Sequence, residues 1–181
     1  MSPSIFAWRH HVSYYDIVSQ AELPYAPTPA AAIKAGFSAL EMGFGLARGS
    51  GQSFIDLGAG TGEVVMYCAR NFSIASFGIE INNSMVRIAQ KSIRREKLKN
   101  AAIWKGDLFD HDLGYYDFIF IFTLPHMQRF LNHVFETARR GAIVFSYKYP
   151  LDQLDGLLAS RHEESVEIDG IKHWLFFYER K

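Results

Sequence analysis

The residues best suited to chemistry lie in a glycine-rich segment, FIDLGAGTGE, at positions 54–63. An apolar run ends in Asp56, and glycines follow at 58, 60 and 62 before a helix-like stretch opens at Glu63. Glycines let the backbone turn sharply and let a ligand approach without a Cβ in the way. A buried strand that leads through glycines into a helix N-terminus is typical of a nucleotide-cofactor site.

Further acids follow two later apolar runs. Glu80 ends the run that begins at Ala75, 24 residues after Asp56, and Asp107 follows a third run that begins at Ala101. An acid at the end of a second strand is placed to accept hydrogen bonds from ribose hydroxyls. A glycine motif alone is weak evidence for a cofactor site, and the acids that follow it in this order make that evidence stronger.

A fourth apolar run, 117–122, leads into a segment that can meet a substrate. In open α/β sheets, ligands bind beyond the carboxyl ends of the strands. Thr123, Pro125 and His126 follow that strand directly and are the catalytic candidates. His126 is expected to accept a proton, to cap the next helix or simply to be exposed.

Strand and helix patterns alternate along most of the chain, which implies right-handed crossovers and a parallel sheet. Strands are predicted at 53–56, 75–80, 101–105, 117–122 and 141–148, and helices at 62–71, 83–97 and 126–139. A further helix is predicted to begin at Thr28-Pro29, as N-cap and first residue, and to end near Arg48. The C-terminus reads as two strands around the turn Asp169-Gly170, an antiparallel hairpin.

With its acids and glycines in this order, the chain resembles the class I, seven-strand methyltransferases that use S-adenosyl-L-methionine (SAM). The resemblance runs from about Pro24 to the C-terminus and implies a doubly wound, mostly parallel seven-stranded sheet. Helices on both faces and a C-terminal antiparallel hairpin complete this Rossmann-like α/β fold. Domains are expected at 1–23, a cap segment, and at 24–181, the SAM-dependent domain.

The resemblance also implies roles for single residues. The glycine loop packs on the methionine part of SAM, Glu80 holds the ribose, Asp107 meets the adenine edge, and Asp56 orders the loop or reaches the amino group through water. The implied cofactor contacts are Asp56, Leu57, Gly58, Ala59, Gly60, Gly62, Glu80, Ile81, Asp107 and Leu108. An NAD-binding domain is the alternative, but DLGAGTG lacks the GxGxxG spacing that NAD folds favour.

Two short motifs resemble a narrower family, the small archaeal and mitochondrial-type protein lysine methyltransferases. They are the Pro-Thr-Pro segment at 24–29 and the segment 120–127, FIFTLPHM. The resemblance implies that Tyr25 and Thr28 close over SAM and that the acceptor is a protein lysine. Ala59 and Thr61 stand where relatives usually have Asp or Ser, so the identity of the substrate does not carry over.

A lysine acceptor fits the residues without a dedicated base. An apolar channel lowers the pKa of an amine by desolvation, and a neighbouring sulfonium lowers it further. Candidates for the channel wall are Tyr14, Tyr15, Phe122, Leu124 and Tyr149. Small-molecule methylation, RNA methylation and a non-catalytic SAM-binding module remain alternatives, although no Asn/Asp-Pro-Pro-aromatic tetrad of base or glutamine methyltransferases follows the fourth strand.

The amino-acid composition limits the kinds of partner that we expect for this protein. Lys+Arg and Asp+Glu both number 19, so the formal net charge is zero, and a strong nucleic-acid signal is absent. His10 and His11 have no visible ligand partners, so no metal is predicted. The single cysteine, Cys68, and the lack of a signal-peptide pattern favour the cytoplasm. No membrane span is predicted, the expected partner is a protein or small-molecule methyl acceptor, and the sequence leaves the oligomeric state open.

Overall fold

The computed structural model describes residues 26–181, so Tyr25 and the predicted cap at 1–23 lie outside the described residues. Five of its strands alternate with helices along the chain, and the last two form a hairpin. The strands are β1 (Ser53–Leu57), β2 (Ala75–Glu80), β3 (Ala101–Lys105), β4 (Phe118–Ile121), β5 (Ile143–Tyr147), β6 (Leu158–Ile168) and β7 (Ile171–Arg180).

These strands make one sheet of order β3-β2-β1-β4-β5-β7-β6. The first five pair in parallel, and β7 lies antiparallel to both β5 and β6. The glycine loop follows β1 near the middle of the sheet, where the strand order changes direction. That switch point is where open α/β sheets bind their ligands, and the predicted fold class is confirmed.

Helices cover both faces of the sheet. They are α1 (Ala30–Gly43), α2 (Glu63–Phe72), α3 (Asn83–Arg95), α4 (Pro125–Gln128) and α5 (Asn132–Glu136). The first three pack on one face, with Phe37, Val65 and Val86 in a common apolar cluster. On the other face, Leu131 and Val134 at and within α5 join a second cluster.

The parallel strands are buried on both faces. In β1, Phe54 joins the first cluster and its neighbour Ile55 joins the second, because successive side chains of a strand point to opposite faces. Continuous apolar runs of this kind are typical of sheets covered by helices on both sides. The strands are therefore held rigidly beneath their loops.

Two helix predictions were wrong by more than two residues, whereas the helices predicted at 62–71 and 83–97 are observed as Glu63–Phe72 and Asn83–Arg95. α1 begins at Ala30, with Pro29 rather than Thr28 in the N-cap position, and it ends at Gly43 instead of near Arg48. The helix stops early because Gly45 takes a positive φ of 75°. The amide of Leu46 then donates back to the Leu40 carbonyl, a bond that closes the helix end.

The single helix predicted over 126–139 is two short helices, α4 and α5. The side chain of Gln128, at the end of α4, donates to the Pro150 carbonyl at 2.6 Å. The chain then turns so that Leu131 is buried in the second cluster. A tertiary contact thus overrides a helical pattern that is continuous in sequence.

The C-terminal hairpin is confirmed and is longer than predicted, because β6 already begins at Leu158. Asp169 and Gly170 both have positive φ, 51° and 76°, as a tight hairpin turn of this type requires. Within residues 26–181, no helix has both the length and the apolar character needed to cross a membrane.

Candidate active site

The glycine loop is tied to the end of β2. The amides of Gly58 and Ala59 both donate to the Ile79 carbonyl at 2.9 Å. The Glu80 carboxylate accepts from the Gly60 amide at 2.9 Å through Oε2 and from the Asn82 amide at 2.7 Å through Oε1. Glu80 is only 8% exposed, so one buried acid fixes the loop and the start of α3 together.

The glycines of this region serve two different purposes. Gly58 has a φ of +82°, and a Cβ placed there would meet no atom of residues 26–181 within 4 Å, so its face is open within the described part of the chain. A Cβ on Gly62 would lie 2.5 Å from Cδ1 of Ile103, and one on Gly78 would lie 2.6 Å from Cβ of Ala59. The first glycine leaves room for a ligand, whereas the other two let helix, loop and strands pack closely.

Asp56 lies within β1 and is 3% exposed. Burial raises its pKa well above the ordinary value, and the neighbouring carboxylates of Glu80 and Glu63 raise it further. Three acids thus surround the base of the loop. Such a site favours a ligand that brings positive charge.

The other predicted cofactor contacts lie along the same edge. Leu57 ends β1 and is buried in the second cluster, and Ile81 follows Glu80 and is half-buried. The Asp107 carboxylate accepts from the Phe109 amide at 3.0 Å and so caps a short 3-10 turn that starts at Leu108. Leu108 is half-buried against the second cluster.

The three catalytic candidates follow β4, and their surroundings differ. The Thr123 hydroxyl lies 3.5 Å from the Leu124 carbonyl, and Pro125 opens α4. Leu124, not His126, occupies the N-cap position, so the capping role suggested for His126 is wrong. His126 is exposed at this edge.

Aromatic rings line the edge beside that segment. The Phe122 ring lies 5.0 Å from Tyr147, edge to face, and 6.3 Å from Tyr149 between ring centroids. Phe122 and Tyr149 were predicted as wall residues, and the structure brings them together. Leu124, two residues after Phe122, is half-buried. Tyr14 and Tyr15 lie outside the described residues.

Sequence reasoning missed two residues of this edge, Tyr147 and His173. Their rings stack with an interplanar angle of 8°, and the Tyr147 hydroxyl is hydrogen-bonded to Nδ1 of His173. They are 26 residues apart on antiparallel strands. No local spacing signals such a pair, because it depends on the register between β5 and β7.

Two further predictions concern the cap and metals. Thr28 is half-buried just before α1, while its predicted partner Tyr25, like His10 and His11, lies outside the described residues. Across residues 26–181, no cluster of three or more His, Cys, Asp or Glu side chains could hold a metal ion.

The loop and its acids fit the methyl donor SAM. The open face at Gly58 leaves a cradle that a Cβ would fill, and the buried acids suit a cationic ligand bearing an amino group and a ribose. Fold and site together define a methyltransferase of the class I, SAM-dependent type.

Comparison with known proteins supports the assignment as a methyltransferase. The chain belongs to the family described as the ANTKMT methyltransferase domain, whose model matches residues 56–156, more than half of the chain. A protein-lysine N-methyltransferase of Saccharolobus islandicus (strain REY15A) is 27% identical over 133 residues, covering 71% of this chain and 78% of that protein. A lysine N-methyltransferase of Caenorhabditis elegans, named for a subunit of ATP synthase, is 26% identical over 155 residues, covering 85% and 80%.

Solved structures show the same fold. An RNA methyltransferase from Salinibacter ruber, in complex with S-adenosyl-L-homocysteine, has a TM-score of 0.72 and 22% identity, and the match covers 86% of this chain and 94% of that chain. Magnesium protoporphyrin IX methyltransferase from Synechocystis PCC 6803 with bound SAM has a TM-score of 0.68 and 13% identity, covering 93% and 89%. The acceptors of these two enzymes differ, so the fold alone does not select an acceptor.

Proposed function

We propose that this methyltransferase transfers the methyl group of SAM to the side-chain amine of a lysine in a protein. The observation that supports the methyl donor in this proposal is the clamp of Glu80 on the glycine loop beside the open face at Gly58. The lysine acceptor is supported by the names of the archaeal and nematode relatives. When bound, SAM supplies a methyl group already activated by its sulfonium.

The residues proposed to hold SAM are those on the loop and at the ends of β1, β2 and β3. In this assignment the loop 58–62 cradles the methionine part, while Asp56 meets the amino group directly or through water. Glu80 and Ile81 bind the ribose. Asp107 and Leu108 bind the adenine, and Tyr25 and Thr28 close over the ligand.

The segment after β4 is proposed to position the acceptor. Thr123 and Pro125 shape the backbone where the amine enters, and the exposed ring of His126 borders that entrance. The rings of Phe122 and Tyr149 form an apolar wall that excludes water. An amine in such a wall loses its proton more easily, because burial disfavours the charged form.

The proposal is tested by locating the transferred methyl group. Full-length protein is incubated with methyl-labelled SAM and a lysate of its own cells, and labelled proteins are hydrolysed to amino acids. We expect labelled methyllysine, and none with the Gly58→Val variant, which should bind no SAM. Label in methylglutamine, in RNA or in a small molecule would reject lysine as the acceptor.

The cellular location is proposed from the single cysteine. Cys68 is a free, buried thiol, and burial raises its pKa to about 12, so it remains a protonated core thiol. An unreactive single cysteine is compatible with the reducing cytoplasm, which we propose as the site of action. Cell fractionation with an antibody to the protein would check this, and recovery in a membrane or organelle fraction would contradict it.

A further inference from the structure

We propose that Tyr147 and His173 form a proton-accepting pair that takes the proton from the incoming ammonium group. The inference rests on the proposed lysine acceptor and adds two residues to it. It follows from where the strands end, from the bond between the two side chains and from their burial.

The hairpin carries His173 over the ligand edge of the sheet. Tyr147 is the last residue of β5 and pairs with Leu175 of β7, so His173 lies two residues past the end of β5. The Lys148 amide donates to the Trp174 carbonyl at 2.8 Å, which holds β7 against the chain as it leaves β5. His173 therefore stands level with the segments that follow the parallel strands.

The pair also adjoins the segment after β4. Phe122, the first residue after that strand, lies edge-on to the Tyr147 ring at 5.0 Å. Only one ring thus separates the hydroxyl-bearing residue from the start of the proposed acceptor segment. An amine that passes between Phe122 and Pro125 would approach the Tyr147–His173 pair across that ring.

The chemical state of Tyr147 suits a relay. The residue is 4% exposed, and burial raises the pKa of its hydroxyl, so the phenol stays neutral. Its hydroxyl is hydrogen-bonded to Nδ1 of His173. The His173 side chain is only half-buried, so solvent can take up a proton from its ring. In β6, Val166 lies opposite His173, and the nearest acid on that face of the strand is Glu164, opposite Leu175. The Glu164 carboxylate lies 3.7 Å from Nε2 of His162.

The proton balance of the step is complete. The ammonium nitrogen gives one proton to the Tyr147 oxygen while the hydroxyl proton of Tyr147 moves to Nδ1 of His173. The freed lone pair forms the new N–C bond, and the electrons of the broken C–S bond stay on sulfur. His173 then releases the proton on Nε2 to water, and proton exchange with water moves the remaining ring proton from Nδ1 back to Nε2, so that Nδ1 can accept again in the next turnover.

The chain contains a matched control pair. His111 Nε2 lies 3.0 Å from the Tyr116 hydroxyl, and the rings stack in the same manner. Tyr116 lies just before β4, at the amino-terminal end of that strand, away from the edge where the ligands bind. Both pairs join an imidazole to a phenol, through Nε2 of His111 and through Nδ1 of His173, and they differ in position.

The first test needs no turnover. ¹⁵N-labelled protein saturated with S-adenosylhomocysteine is titrated with n-butylamine, a mimic of the lysine side chain, and the imidazole nitrogens are followed by NMR. We expect the His173 signals to shift and saturate and the His111 signals to stay, and Tyr147→Phe should abolish most of the shift. A His173 signal unmoved at high n-butylamine overturns the proposal.

The second test uses the protein band labelled in the lysate assay. Tyr147→Phe and His173→Asn should slow single-turnover transfer about 100-fold, within the range of general-base catalysis, with SAM affinity unchanged. Added imidazole should restore part of the rate to His173→Ala, whereas Tyr116→Phe and His111→Asn should behave as wild type. Full activity in both variants, or equal loss in the control pair, would refute the relay.

The two proposals fail in different ways. If the transferred label is found outside lysine while n-butylamine still shifts His173, the lysine assignment falls and the amine site stands. If methyllysine forms while His173 does not respond, the lysine assignment stands and the relay falls.

Discussion

Glu80 joins the ligand site to the scaffold at the scale of one residue. Its two carboxylate oxygens each accept a backbone amide, one in the glycine loop and one at the start of α3. A carboxylate oxygen has further lone pairs for ribose hydroxyls. The same side chain can therefore shape the loop and bind the ligand.

We expect Glu80→Ala to weaken SAM binding by about 1–3 kcal/mol, because buried hydroxyls and amides lose their acceptor. Calorimetric titration measures the change. Glu41→Ala, a substitution of an exposed acid on α1, is the control and should bind SAM normally. Unchanged affinity in Glu80→Ala would remove Glu80 from the ligand site.

Asp56 gives a prediction about pH. Its folded-state pKa is raised, so the folded protein holds this proton more tightly than the unfolded chain, and stability falls as pH rises from about 4, the unfolded value, through the raised one. Asp56→Asn should therefore increase the free energy of unfolding at pH 7, and the gain should vanish below about pH 4.

Urea unfolding at pH 3.5 and pH 7 measures both values for Asp56→Asn. The same variant should bind SAM more weakly, because a negative partner for the amino group is lost. A variant less stable than wild type at pH 7 would show that the carboxylate is not a destabilising charge.

At the scale of elements, the loop and the strand beside it use glycine for opposite reasons. Gly58 leaves open space at a positive φ, while Gly78 on β2 lets Ala59 and Val65 approach the strand. One glycine makes room for a ligand and the other for packing. Substitution should separate binding from stability.

We expect Gly58→Val to abolish SAM binding in a chain that still folds, since its side chain enters the open face and the positive φ is strained for Val. Gly78→Ala should lower the free energy of unfolding by about 1–3 kcal/mol, the usual range for overpacking. Denaturant unfolding and calorimetry on both variants test this. A Gly58→Val variant with normal binding would show that the loop does not hold the ligand.

The elements also show what pattern alone can predict. The bounds of β2 and β3 were predicted to the residue. β3 lies between Asn100 and Gly106, which mark its ends in the sequence, and the charged Glu80 closes β2. The pattern over 126–139 was continuous, and its division into α4 and α5 depends on Gln128 meeting Pro150. That contact joins the end of α4 to the segment after β5 and leaves no trace in local sequence.

At the scale of the whole molecule, we expect ligand binding to stabilise the fold. The loop joins β1 to α2 and is clamped to the end of β2, so a ligand that fills it ties the centre of the sheet to its helices. Binding to the folded state alone raises stability by about 2.7 kcal/mol at a ligand concentration of 100 Kd.

SAM at that concentration should raise Tm by about 5–11 °C, given roughly 2–4 °C per kcal/mol for a chain of this size. NAD at equal concentration should leave Tm unchanged. Differential scanning fluorimetry makes the comparison, with Gly58→Val as the variant that should not respond to SAM. A shift with NAD alone would contradict the assignment of the glycine loop.

The sequence by itself determined the order of the site elements along the chain. Asp56, the loop glycines, Glu80 and Asp107 each follow an apolar run, and that order predicts a parallel sheet with its ligand edge at the ends of those runs. These signals are local, since each concerns a strand and the few residues after it. They were enough for the fold class, the cofactor candidates and the methyltransferase class.

Only the tertiary structure decided which distant residues meet. It showed that Glu80 clamps the loop, that Gly78 must be small beneath Ala59, and that β7 brings His173 onto Tyr147. Such contacts depend on strand order and register, and a shift of one residue would turn His173 to the opposite face of the sheet. Register is fixed by packing across the whole sheet, so these parts of the site could not be read from local patterns.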